Sequence, residues 1–162
     1  MWSRVINIAE RAGAWVLLAV AVVFASDVLA RYAFGVTAAF FSDLEWYGVC
    51  LAVSLGLAPA LAAGAHVRVE IVSERMPSVA QRTIAVLGHG LLLLPWCAFV
   101  MYAGTRYAYN ATLIGEGSAD PGGLPARWLP KWWLVMGFAL LAGEGVRQLF
   151  SRKGTTAITQ AH

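Results

Sequence analysis

An all-α membrane protein with four transmembrane helices is the fold this sequence predicts, and three observations lead to it. The run 83–105 carries no side chain ionised at neutral pH apart from protonation of His89. A helix of that length spans about 35 Å, against roughly 30 Å for bilayer hydrocarbon. Three further segments approach the same length and apolarity. The composition, 59% hydrophobic and 13% charged, sits far from the about 25% charged residues of soluble domains.

The first span covers about residues 12–31, with Asp27 as its only charge before Arg31. Ahead of it, Trp2, Val5, Ile6 and Ala9 recur at i, i+3, i+4 and i+7. That spacing predicts a short N-terminal interfacial helix, the alternative being an early start of the first span. Val22 to Ser26 resembles a small-residue cleavage site. The apolar run is long, however, and closes on Arg31 with aromatic neighbours as an interfacial anchor does, so the span is expected to be retained.

The second span, about 44–65, is rich in small residues, among them Gly56, Ala58, Ala60, Ala62, Ala63 and Gly64, which let membrane helices approach closely. The middle loop then places Val69, Val72, Met76 and Val79 at helical spacing. A short amphipathic helix is expected there, broken near Pro77. The third span covers 83–105 and the fourth about 130–150. Between them, Arg106 to Lys131 is Gly- and Pro-rich, and Asp120-Pro121-Gly122-Gly123 is a turn signal. Residues 1–153 thus form one domain, and 154–162 a flexible tail.

With four spans, both termini and the middle loop share one side. That side carries Arg4, Arg11, Arg68, Arg75, Arg82, Arg147, Arg152 and Lys153, against Arg31, Arg106, Arg127 and Lys131 on the other. The excess places both termini in the cytoplasm. The net charge of +3 is therefore mostly topological, and nucleic acid is not an expected partner.

Ionisable groups inside a membrane are expensive, so they are the first candidates for function. The spacings of Asp27 with Arg31 and of Glu144 with Arg147 predict local ion pairs, the alternative being a gathering of Asp27, Asp43 and Glu45 near Arg31. His66 and His89 are offset in depth by about 10 Å, which argues against a bis-His haem. Cys50 and Cys97, both toward the outer leaflet on this topology, behave as small hydrophobes, and Pro59 and Pro95 mark kinks. No metal-ligand spacing, phosphate-binding loop or catalytic triad emerges, so neither enzyme activity nor a cofactor is expected.

Several segments in order carry a resemblance. They are Arg31-Tyr32-Ala33-Phe34, then Asp43-Leu44-Glu45-Trp46, then Gly64-Ala65-His66-Val67-Arg68-Val69-Glu70. Last come Glu116-Gly117-Ser118, Pro121-Gly122-Gly123-Leu124-Pro125 and Lys131. Together the chain resembles the small membrane subunit (Q-type, DctQ-like) of TRAP transporters, the tripartite ATP-independent periplasmic transporters. The His-Val-Arg-Val-acid and Pro-Gly-Gly-Leu-Pro segments are similar to the mannitol or chloroaromatic-compound branch. Glu70 and Glu144 depart from the pattern, where Asp and Gln are typical.

The resemblance implies an accessory subunit in the bacterial inner membrane, with no cofactor. Its partners would be a large multi-span M-type subunit, a periplasmic substrate-binding protein and membrane lipids. Sodium-coupled uptake of organic acids is typical of such systems. The motif residues Arg31, Tyr32, Asp43, Glu45, Trp46, His66, Arg68, Glu70, Glu116, Gly122, Gly123, Pro125 and Lys131 would then order loops or meet the partner. Two other classes fit a small apolar chain: an independent exporter or channel, and a haem-binding anchor of a respiratory enzyme. Neither explains the ordered motifs.

Overall fold

Trp2 to Phe34 form one unbroken helix, α1, of 33 residues, in a computed structural model that describes residues 2–35, 39–63 and 88–150. Of the two readings of the N-terminal turns, a separate interfacial helix or an early start of the first helix, the second is the one formed. No proline divides the two stretches, so the phase of the amphipathic turns runs straight into the span, with Ile6 and Ala9 buried. The helix stops at Gly35, whose φ of 65° and N–H bond to the Arg31 carbonyl at 3.1 Å make a left-handed cap.

Helix α2 (Ala39–Ala62) contains Pro59, which is buried. A π-helical turn, Gly88–Leu93, leads directly into α3 (Leu94–Leu113). Pro95 has no N–H to offer and its ring crowds the carbonyl one turn back, so the wider turn immediately before it relieves the clash. Helix α3 continues well past residue 105, the expected end of the third span. Arg106 is exposed and donates to the Tyr102 hydroxyl at 3.2 Å, while Ala108 and Ala111 are buried. The charge therefore rides outside a helix that keeps its packing. Helix α4 runs from Leu129 to Phe150.

The main packing order is α1, α2, α4, α3. Two of these contacts are antiparallel: Gly13 of α1 lies against Ala52 and Leu55 of α2, and Gly104 of α3 against Val135 of α4. By contrast α2 and α4 run in the same direction, since Tyr47 meets Trp133, Ser54 meets Gly137, and Leu61 meets Gln148. Trp2, Ala62, Gly88 and Phe150 consequently share one end, the terminal end. Phe34, Ala39, Leu113 and Leu129 share the loop end.

Small residues set these crossings. A Cβ on Gly137 would sit 2.7 Å from the Ser54 carbonyl oxygen and 2.8 Å from its Cα, so α4 touches α2 backbone to backbone. Toward the terminal end, Leu61, Cys97 and Leu141 form a buried cluster flanked by Leu57, Leu93, Phe138 and Ala142. Cys97 therefore packs toward the terminal end, whereas the expected third span placed it nearer the opposite end.

Both α1 and α2 are long and apolar enough to cross a membrane, yet only 11% and 28% of their most apolar stretches are buried. A core helix of a soluble domain would be mostly covered, and these leave Trp15, Leu18, Val22, Leu29 and Val53 exposed. The expected amphipathic helix of the middle loop, the start of the third span and the tail 154–162 lie outside the described residues.

Candidate functional site

Six of the motif residues meet at the loop end, where the connection between α3 and α4 folds over the start of α2. Its Asp120-Pro121-Gly122-Gly123 segment turns through a Gly123 N–H bond to the Asp120 carbonyl at 3.0 Å, with Gly122 at a φ of 79° that favours glycine. The Asp43 carboxylate accepts the Leu124 N–H at 2.8 Å, across 81 residues of sequence. A side chain on Gly123 would collide with that carboxylate and with Ser118. Tyr47 donates to the Pro125 carbonyl at 3.4 Å.

Glu116 closes the other side of this cap. It pairs with Lys131, whose ammonium also lies 3.8 Å from the centroid of the Tyr107 ring. Arg127 donates its backbone N–H to the Glu116 carbonyl at 2.8 Å, and the Trp132 indole donates to the Thr112 hydroxyl at 3.1 Å. Ala126 has a φ of 67°, a costly backbone for a residue with a Cβ, tolerated because bonds on both sides fix the chain. The connection is thus an ordered cap fastened to α2, α3 and α4.

The other motif residues are placed differently. Arg31 bonds Asp27 at 2.7 Å, as the i to i+4 spacing predicts. The gathering of three acids near Arg31 is not formed, because Asp43 is drawn to the backbone N–H of the cap and Glu45 makes no ion pair among the described residues. One carboxylate oxygen of Glu45, Oε1, is buried and has no hydrogen-bond partner there. Tyr32 and Trp46 are exposed. His66, Arg68, Glu70 and the side chain of His89 lie outside what the structure describes.

A second polar centre occupies the terminal end, with the fully buried Glu144 at its middle. The Trp2 indole N–H donates to it at 2.8 Å, Arg147 donates through Nε at 2.8 Å and through a terminal nitrogen at 2.6 Å, and Gln148 donates at 3.0 Å. Gln148 also donates to the Leu61 carbonyl at 3.0 Å. The spacing of Glu144 with Arg147 announced one of these contacts. Trp2 and Gln148 were missed; only the apolar phase of Trp2 with Ile6 and Ala9 hinted that the N-terminal turns pack inward.

A family model for the tripartite ATP-independent periplasmic transporters, DctQ component, matches residues 19–153. The chain belongs to the DctQ family. Neither a curated protein nor a solved structure matches it. The matched range takes in the cap and Glu144 but stops short of Trp2, so one donor of the buried carboxylate comes from outside the shared segment.

A DctQ chain is the small component of a transporter and not a member of an enzyme family. The chemistry of its described residues accords with that role: Asp27, Glu116 and Glu144 are each paired with a cation of the same chain. Carboxylates so occupied order helices and loops; they do not offer open oxygen ligands. Among the described residues no group of three or more His, Cys, Asp or Glu is disposed to hold a metal ion.

Proposed function

We propose that this chain is the accessory small permease subunit of a sodium-coupled TRAP transporter for organic acids, of the mannitol or chloroaromatic-compound type. Its work is to enlarge and fix the stationary scaffold of the large membrane subunit. The observation that carries this reading is the pairing of Asp27 and Glu144 within the chain, beside helices that leave broad apolar faces uncovered. Such a chain is poorly equipped to carry solute and well equipped to bind another membrane protein.

On this reading all four helices cross the inner membrane, with both termini in the cytoplasm and the cap in the periplasm. The alternating directions of the helices and the bias of Lys and Arg support that orientation. The cap carrying Asp43, Glu116, Gly122, Gly123, Pro125 and Lys131 then braces the large subunit or faces the substrate-binding protein. Arg31, Tyr32, Glu45 and Trp46 lie toward the outer interface, and His66, Arg68 and Glu70 order the cytoplasmic turn.

The test compares sodium-dependent uptake in proteoliposomes containing the large subunit, with the binding protein supplied, in the presence and absence of this chain. Uptake is expected to require the chain. Full uptake by the large subunit and binding protein alone would remove the accessory role.

A further inference from the structure

The cap between α3 and α4 is built of two facing limbs. The Arg127 N–H bond to the Glu116 carbonyl at 2.8 Å closes their base. Beyond it, the Ser118 N–H bond to the Leu124 carbonyl and the Gly123 N–H bond to the Asp120 carbonyl, both at 3.0 Å, tie the chain into one body. That body rests on the start of α2 through three polar contacts: Asp43 accepts the Leu124 N–H and the Ser118 hydroxyl, and Tyr47 donates to the Pro125 carbonyl over 3.4 Å. Ala119, Asp120, Pro121 and Gly122 at its tip are exposed.

Where the body joins the base, the two limbs are unequal. The incoming limb passes through Gly117, which turns with little resistance. The outgoing limb passes through Ala126, held at a φ of 67°, where a Cβ crowds the backbone. Ala126 keeps that conformation because both of its neighbours are fixed, Pro125 by Tyr47 and Arg127 by Glu116. Once the Pro125 side is free, Ala126 returns to a negative φ. The strain therefore offsets part of what the contacts with α2 contribute, and it does so only while the cap is down.

We propose that the cap is a strap that lifts from α2 as one body, residues 118–125, turning about Gly117 and Ala126 with the Arg127–Glu116 bond left in place. Lifting bares the Asp43 carboxylate and the Tyr47 hydroxyl at the loop end, where water takes up the lost bonds, and relief of the Ala126 backbone favours the lifted state. The Glu116–Lys131 pair and the Trp132–Thr112 bond lie at the base, outside the moving part. The motion is one of this chain alone and is independent of the accessory-subunit reading.

The test is amide hydrogen exchange of the full chain in lipid nanodiscs, read at single residues by electron-transfer fragmentation, since exchange of a bonded N–H follows the population in which that bond is open. Glycine and asparagine accept a positive φ, so Ala126→Gly and Ala126→Asn should each slow exchange at Leu124 by about threefold. Ala126→Val, whose branched side chain fits the left-handed region worse, should quicken it by about fivefold. Tyr47→Phe removes one contact and should quicken it by about twofold. Ser118 and Gly123, bonded inside the moving body, keep their wild-type rates in all four variants.

Unchanged or faster exchange at Leu124 in both Ala126→Gly and Ala126→Asn would overturn the proposal, because Ala126 would then take no part in the opening. So would Ser118 quickening together with Leu124, which would mean that the cap melts instead of lifting. Ala126→Gly and Ala126→Asn relieve strain and fold as the native chain does, which keeps the proposal falsifiable even where Ala126→Val fails to accumulate.

Discussion

The two ends of the molecule are fastened by opposite means. At the loop end, Asp43 and Glu116 hold a connection to the helices largely through backbone groups, and much of that connection is exposed. At the terminal end one buried carboxylate, Glu144, collects side-chain donors from α1 and α4, and Gln148 carries the network on to α2. Solvent can replace a lost partner at the first site. It reaches the second far less easily, so the same chemistry is worth more there.

Glu144→Ala should therefore have the largest effect, lowering stability by about 3 kcal/mol because it strands the donors of Trp2, Arg147 and Gln148. Thermal or denaturant unfolding of the purified chain in detergent, followed by circular dichroism, measures it; a loss no greater than that of Asp43→Ala would erase the contrast between the ends. Asp43→Ala removes the acceptor of the Leu124 N–H and should cost about 1.5 kcal/mol. Protease sensitivity should rise within the cap and leave the helices resistant.

Trp2→Phe drops the indole N–H and also the outer indole ring that covers Gly143, for about 1.5 kcal/mol. Tyr47→Phe loses a long bond at an exposed site and should cost about 0.5 kcal/mol or less. The two ends are about 27 Å apart along α2, so the losses from Asp43→Ala and Glu144→Ala should add within about 0.5 kcal/mol. A larger coupling in the double variant would mean that the ends communicate through α2 and α4.

What the sequence disclosed follows from the range of each interaction. The helices were legible because apolar runs report them directly, and the Asp27 and Glu144 ion pairs because i+4 and i+3 neighbours share a helix face. The apolar run stops at Thr105 while α3 continues to Leu113, because apolarity marks where a helix is covered and not where its backbone bonds end. Charge alone allowed Asp43 a place near Arg31; the cap offered it an N–H instead, a contact that no local spacing encodes. Trp2 and Glu144 are 142 residues apart. Only the direction of each helix, fixed by the fold, brings them together.

The shared heading of α2 and α4 has an electrical consequence. Their peptide dipoles point the same way across the Ser54–Gly137 contact and repel side by side, each leaving roughly half a positive charge at the loop end and half a negative charge at the terminal end. Asp43 places negative charge near the first of these, whereas the Glu116–Lys131 and Glu144–Arg147 pairs add no net charge at either end. The acid that fastens the cap to α2 thereby also softens the mutual repulsion of the two central helices.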